Sequence, residues 1–135
     1  AAPGVRFIAG FTQIGLAPDA GLSFQLVREM GYSKALSYAL AGKPLVSEDM
    51  LGYNLINEVH ERPLERAMEL ASELGLLAPL SVKLTKKTFQ MAREATLAQV
   101  LDREKYAQRF LGFSADYKEG VTAFMEKRKP NFQGK

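Results

Sequence analysis

One short extended stretch, at the front of a chain that is otherwise helical in pattern, constrains the fold more than any other feature. Arg6 to Phe11 is partly β-branched or aromatic, and Ile14-Gly-Leu-Ala-Pro18 follows it as a second extended piece set off by turn residues. One or two lone strands do not make a stable sheet in water. Arg6 to Ala17 is therefore expected to pair with strands outside this sequence.

Beyond that stretch the apolar residues keep helical spacing. Asp19 precedes a run from Ala20 to Met30 in which Leu22, Leu26 and Met30 recur every fourth residue, and Gly31 ends it as a glycine just past a helix does. Ser33 is the expected cap of a second helix reaching about Leu40. Ser47, Glu48 and Asp49 predict a short third one, with acids in the first turn where the helix dipole favours them. Tyr53 to Val59 reads as a loop or short strand. Pro63 suits the first position of a fourth helix, whose stripe of Leu64, Ala67, Met68, Ala71 and Leu74 runs to Gly75.

Leu80, Leu84, Met91 and Ala95 mark a fifth helix from Pro79, and a sixth should span about Leu97 to Leu111. Ser114 predicts the cap of a last one, along which Tyr117, Val121, Phe124, Met125 and Arg128 align before Pro130. Gly120 inside it costs about 1 kcal/mol relative to alanine. There is no internal repeat, low-complexity tract or linker. The chain is expected to be mainly α.

Composition narrows the function classes. The 135 residues are 47% apolar and 24% charged, as in an ordinary globular domain. The absence of cysteine excludes disulfides, thiolate catalysis and cysteine-ligated zinc. A net charge of +3, with signs interspersed, does not describe a nucleic-acid binder. No apolar run approaches the roughly 20 residues that span a bilayer, nor does the front end have the order of a signal peptide, so a soluble cytoplasmic protein without membrane partners is expected.

On residue chemistry alone, Asp19 is a helix cap in a Pro-Asp-Ala-Gly turn. His60, in a polar stretch without a partner motif, is expected at the surface rather than in catalysis or at a metal. Lys83, Lys86 and Lys87 form the densest internal basic cluster, which reads as a solvated helix face.

Four stretches taken in order change this reading: Phe7 to Gly21, the helix ending in Met30-Gly31, Leu40-Ala-Gly-Lys-Pro-Leu-Val-Ser47, and Glu119 to Gly134. Together they resemble the second half of the crotonase family of enoyl-CoA hydratases and isomerases. Ile14 to Gly21 and the ending Phe132-Gln-Gly-Lys135 look nearest to its ring-1,2-epoxyphenylacetyl-CoA isomerase branch. The resemblance implies the C-terminal helical part of the crotonase (ClpP-like α/β) fold, with one or two short N-terminal strands. Residues 1–135 would be the C-terminal portion of one domain, 1–18 ending its ββα core and 19–135 forming the helical oligomerisation region of a homotrimer or dimer of trimers.

The family's chemistry polarises a thioester carbonyl with two backbone N–H groups and moves a proton with a carboxylate. The resemblance implies that those donors lie upstream of Ala1, so the chain alone is expected to be inactive. Phe11 stands where hydratases carry their second catalytic glutamate, whereas Asp19 matches the working carboxylate of the isomerase-like branch. Asp19 is thus the implied acid/base of a double-bond or ring isomerisation through an enolate, in fatty-acid or phenylacetate catabolism. Lys127 matches a lysine that meets the adenosine phosphate end of coenzyme A, and Phe124 an aromatic beside the acyl pocket, although its stripe with Val121 equally predicts core packing. Lys86 and Lys87 could face coenzyme phosphates as well. Acyl-CoA is the implied substrate, with coenzyme A part of it and no separate cofactor or metal. A non-catalytic helical trimerisation module and an enoyl-CoA hydratase are the alternatives.

Overall fold

A computed structural model describes residues 1–135, which divide into two compact units, Ala1–Met68 and Glu69–Lys135. The first holds the only sheet. β1 (Arg6–Phe7) pairs antiparallel with β2 (Leu45–Val46), Arg6 opposite Val46 and Phe7 opposite Leu45. This corrects the expectation that the front stretch pairs only outside the chain: β2 hid from the sequence because two residues are too few for a period. Further along, the stretch departs from the extended pattern. Phe11–Ile14 is a 310 turn closed by Gly15 at φ 76°, a left-handed conformation that suits glycine.

α1 (Leu22–Met30) and α2 (Tyr32–Ala41) form a helical hairpin. Leu26 and Met30 of α1 and Ala35 and Tyr38 of α2 meet Ala9 in the core, with Leu22, Leu45, Tyr53 and Leu55 packed around it. Leu26 is only 2% exposed, so its burial stabilises the unit by about 2 kcal/mol. Ser33 does not cap α2. Gly31, at φ 77° and ψ 157°, ends α1 and begins α2 in one residue, a backbone region open essentially to glycine alone, so no capping loop is needed.

α3 (Ser47–Gly52) starts as predicted, with Asp49 reaching back to accept from the Val46 N–H at 3.1 Å. Ser47 does more than begin a helix. Wholly buried, its Oγ donates to the Ala2 carbonyl at 2.5 Å and accepts from the Val5 N–H at 3.0 Å, which ties the front segment down. Tyr53 to Val59 is a loop. His60, expected at the surface, is half-buried: its N–H donates to the Ala1 carbonyl at 2.9 Å and its Nδ1 accepts from the Arg62 N–H at 3.1 Å. Its role is to shape a turn.

α4 (Pro63–Gly75) begins in the first unit and ends in the second. Its predicted stripe is present but buries nothing: Leu64 is 74% exposed, and Met68 and Leu74 are also solvent-facing. In the second unit α5 (Pro79–Ala92) packs against α6 (Leu97–Leu111). Ala95 falls beyond α5, because the chain turns there to a capping box the sequence reading passed over. Thr96 Oγ1 accepts from the Gln99 N–H, while Gln99 Oε1 accepts from the Thr96 N–H at 2.9 Å.

α7 (Ala115–Met125) is capped by Ser114, whose Oγ accepts from the Tyr117 N–H at 3.0 Å, as the sequence predicts. It stops three residues short of Arg128. Lys127 takes φ 56°, and the N–H groups of Lys127 and Arg128 close back on Phe124 and Ala123 carbonyls. Arg128 therefore leaves the stripe. Its guanidinium folds back onto Glu119 in a two-pronged ion pair at 2.6 and 2.9 Å and also meets Glu126.

Candidate active site

The loop bearing Asp19 is set by three devices. Thr12 of the 310 turn donates to the Ala39 carbonyl of α2 at 3.2 Å, and the Leu16 N–H donates to the Phe11 carbonyl at 2.9 Å. Pro18 then stiffens the approach. Finally Ala20 and Gly21 both take left-handed angles, φ 49° and 80°, so the chain reverses sharply into α1. Ala20 carries a Cβ in a region that costs it roughly 1–2 kcal/mol. That strain sits directly beside Asp19.

Asp19 is exposed and is not the cap of α1. Gly21 occupies the capping position, and no hydrogen bond links the Asp19 carboxylate to the helix. Only its carbonyl takes part in the turn, accepting from the Leu22 N–H at 2.9 Å. The capping role expected from residue chemistry is thus replaced by a main-chain turn, because two left-handed residues already deliver the chain to the helix. Next to it in sequence, Leu16, Ala17 and Pro18 join Leu26, Val27 and Leu36 in lining an apolar groove of about 320 Å³. A carboxylate unoccupied by capping, one residue from an apolar trough, has the chemistry to accept and return a proton.

Phe124 and Lys127 lie in the second unit, at the end of α7. Phe124 is 82% exposed, so the core-packing alternative does not hold within this chain. It lines a groove of about 390 Å³ with Leu80, Leu111, Val121 and Phe132. Lys127 is exposed in the left-handed turn just past α7, not within a helix as expected. The grooves fall within the range of small-molecule sites.

Sequence reasoning missed the residues that build the wall of that second groove. Asp116 is 3% exposed, and its two carboxylate oxygens accept from the backbone N–H groups of Gln133 at 2.7 Å and Gly134 at 2.8 Å. Glu119 accepts from the Asn131 N–H at 2.8 Å while holding Arg128. Hydrogen bonding by Arg128, then by the Asn131 N–H, lowers the Glu119 carboxyl from 4.5 to about 2. The clamped tail lays Phe132 over Gly120, where a Cβ would stand 3.5 Å from the ring. That is ordinary van der Waals contact, so the ring packs on Gly120 without requiring a glycine there. The signal was available in the motif Glu119 to Gly134, but nothing local pairs an acid in a helix with a glycine far along the chain.

No three His, Asp or Glu side chains gather where they could hold a metal ion. No helix is long and apolar enough to cross a membrane.

The family model for enoyl-CoA hydratase/isomerase matches residues 1–135. The chain is 37% identical over 137 residues to the 1,2-epoxyphenylacetyl-CoA isomerase of Escherichia coli K12, covering 100% of itself and 52% of that protein. It is also 37% identical over 132 residues to the trans-2-decenoyl-[acyl-carrier-protein] isomerase of Streptococcus mutans, covering 96% of itself and 50% of the relative. In structure it superposes on a crystallised enoyl-CoA hydratase from Polaromonas sp. JS666 with a TM-score of 0.92 at 27% identity, over 98% of this chain and 52% of the other. The chain spans about half the length of the relatives it matches. With the helical architecture expected of the crotonase C-terminal half and a family match across every residue, the chain belongs to the enoyl-CoA hydratase/isomerase family.

Proposed function

We propose that this chain is the C-terminal portion of one crotonase domain, residues 1–18 ending its ββα core and 19–135 forming its helical region. The enzyme would be an isomerase of enoyl-CoA thioesters. Asp19 takes a proton from carbon 2 of a 3-enoyl chain and returns it at carbon 4, through an enolate held by oxyanion donors outside this sequence. The observation carrying this reading is that the Asp19 carboxylate is exposed and makes no bond to α1. Phe11, where a hydratase would carry glutamate, supports one-base proton transfer over addition of water. Two relatives named as isomerases support the same choice. The reaction would belong to fatty-acid or phenylacetate catabolism in the cytoplasm.

Phe124 would border the acyl chain and Lys127 the coenzyme's phosphate end, with coenzyme A brought by the substrate and no separate cofactor. The open stripe of α4 favours a homotrimer or dimer of trimers, in which that face is covered. The test is Asp19→Asn in the full-length protein. Isomerisation of a 3-enoyl-CoA should fall at least about 100-fold while acyl-CoA binding stays nearly intact. Full activity in that variant rejects the role, loss of folding assigns Asp19 to structure, and turnover by the 135-residue chain alone refutes the need for outside donors.

A further inference from the structure

The two faces of α2 line different concavities. Tyr32, Leu36 and Leu40 wall the apolar groove next to Asp19. On the opposite face Ser33, Lys34, Ser37 and Tyr38 line a separate pocket of about 360 Å³, joined by Lys43 just past the helix end. Met30, Leu45 and the Tyr53 ring supply its apolar wall, and the volume is that of a small-ligand site.

This pocket is rich in donors and has no acid of its own. Between Glu29 and Glu48 the sequence contains Lys34 and Lys43 and no carboxylate, and neither lysine takes part in an ion pair. The Lys34 ammonium stands 5.2 Å from the centroid of the Tyr53 ring. Attraction to the ring face holds that charge at the pocket instead of leaving it loose in water.

Tyr38 is the residue that points to a ligand. It is only 9% exposed and belongs to the core of the first unit, yet its hydroxyl makes no hydrogen bond. Buried tyrosine hydroxyls ordinarily find a partner. Nor is this oxygen sealed away: Thr88 alone holds a wholly buried side-chain oxygen without a partner, so the Tyr38 oxygen opens onto the pocket it lines. Burial raises the phenol above its usual 10, so at neutral pH it keeps a proton to donate. An anion answers the phenol and the lysines together.

The spacing of the cations selects the shape of that anion. Lys34 and Tyr38 are one helical turn apart on the same face, a match for the two oxygens of one carboxylate. Lys34 and Ala41 are about 10 Å apart along the axis, and Lys43 lies beyond Ala41. A compact ion at one lysine leaves the other unanswered. A molecule with a carboxylate at each end meets both and lays its methylenes on Met30 and Leu45.

We propose that this pocket binds a short-chain dicarboxylate, one carboxylate between Lys34 and the Tyr38 hydroxyl and the other at Lys43. The site lies wholly within the first unit, on the face of α2 turned away from the groove beside Asp19, and does not rest on the role of Asp19.

The test is calorimetric titration of the full-length protein with glutarate, with pentanoate, which has the same carbon chain and a single carboxylate, and with inorganic phosphate. Glutarate should saturate, with a Kd of about 1 mM, and bind at least about tenfold more tightly than pentanoate or phosphate. Tyr38→Phe keeps the ring in the core and should weaken glutarate by roughly fivefold or more, through loss of a charge-assisted hydrogen bond. Lys34→Gln and Lys43→Gln should each bring glutarate down to about the level of pentanoate. A Lys105→Gln/Lys118→Gln control should leave binding unchanged, which separates a local site from bulk charge. Circular dichroism checks the fold of each variant, and the comparison of ligands on the unaltered protein stands without them. Unsaturable binding of glutarate, equal affinity for pentanoate, or unchanged affinity in a folded Tyr38→Phe variant overturns the site. Phosphate binding as tight as that of glutarate overturns it in favour of a phosphoryl ligand.

Discussion

Asp116→Ala should release the C-terminal tail. The carboxylate accepts two backbone N–H bonds, from Gln133 at 2.7 Å and Gly134 at 2.8 Å, at a site 3% exposed. Hydrogen bonds to a charged group contribute about 1.5–3 kcal/mol each, and an acid in a helix's first turn adds roughly 0.5 kcal/mol. Gln133 is exposed and Gly134 half-buried, so once freed their N–H groups regain water and offset part of the loss. The expected net cost is about 3 kcal/mol, a factor of roughly 150 in the equilibrium between clamped and free tail, against a total stability of about 5–15 kcal/mol for a domain.

Because the tail can detach without unfolding the helices, amide hydrogen exchange is the appropriate assay. Exchange of Gln133 and Gly134 should accelerate by about 100-fold, that of Asn131 less, since Glu119 still holds it. Asp116→Asn, which keeps one acceptor oxygen, should fall between. Acceleration below about threefold in the alanine variant would show that the tail is held by Phe132 packing and that the carboxylate adds nothing.

Three further outcomes are expected. Glu119 has its carboxyl lowered from 4.5 to about 2 in the folded chain, so its contribution is fully present above about pH 4.5 and disappears as pH falls toward 2; Glu119→Gln should flatten the acid limb of the urea midpoint in that window, and an unaltered limb contradicts the pairing. Thr88 buries a hydroxyl without a partner, so Thr88→Val should raise stability by about 1 kcal/mol in urea denaturation; a loss would reveal a hydrogen bond the hydroxyl does make. Gly42 has φ 59° and a Cβ there would collide with the Gln13 amide, so Gly42→Ala should cost at least about 1–2 kcal/mol by the same measurement, and a neutral result removes that turn from the account.

Helix count, helix order and the cap at Ser114 followed from the sequence, because spacing, glycine stops and proline starts act within one or two turns of chain. The Asp19 motif was legible for the same reason: Pro18, Asp19 and Gly21 are neighbours. What the tertiary structure alone decided depends on residues far apart. β2 exists only because Leu45 and Val46 come beside Arg6 and Phe7. Asp19 lost its capping role once Ala20 and Gly21 turned left-handed, and Phe132 meets Gly120 only because the tail folds back over α7. Asp116 reads in sequence as one more acid at a helix start; its partners lie 17 and 18 residues on, and only a fold that returns the tail to α7 makes it a buried clamp. Local periodicity fixes elements because its interactions span a turn, whereas burial and long-range pairing are properties of the folded chain and have no period to read.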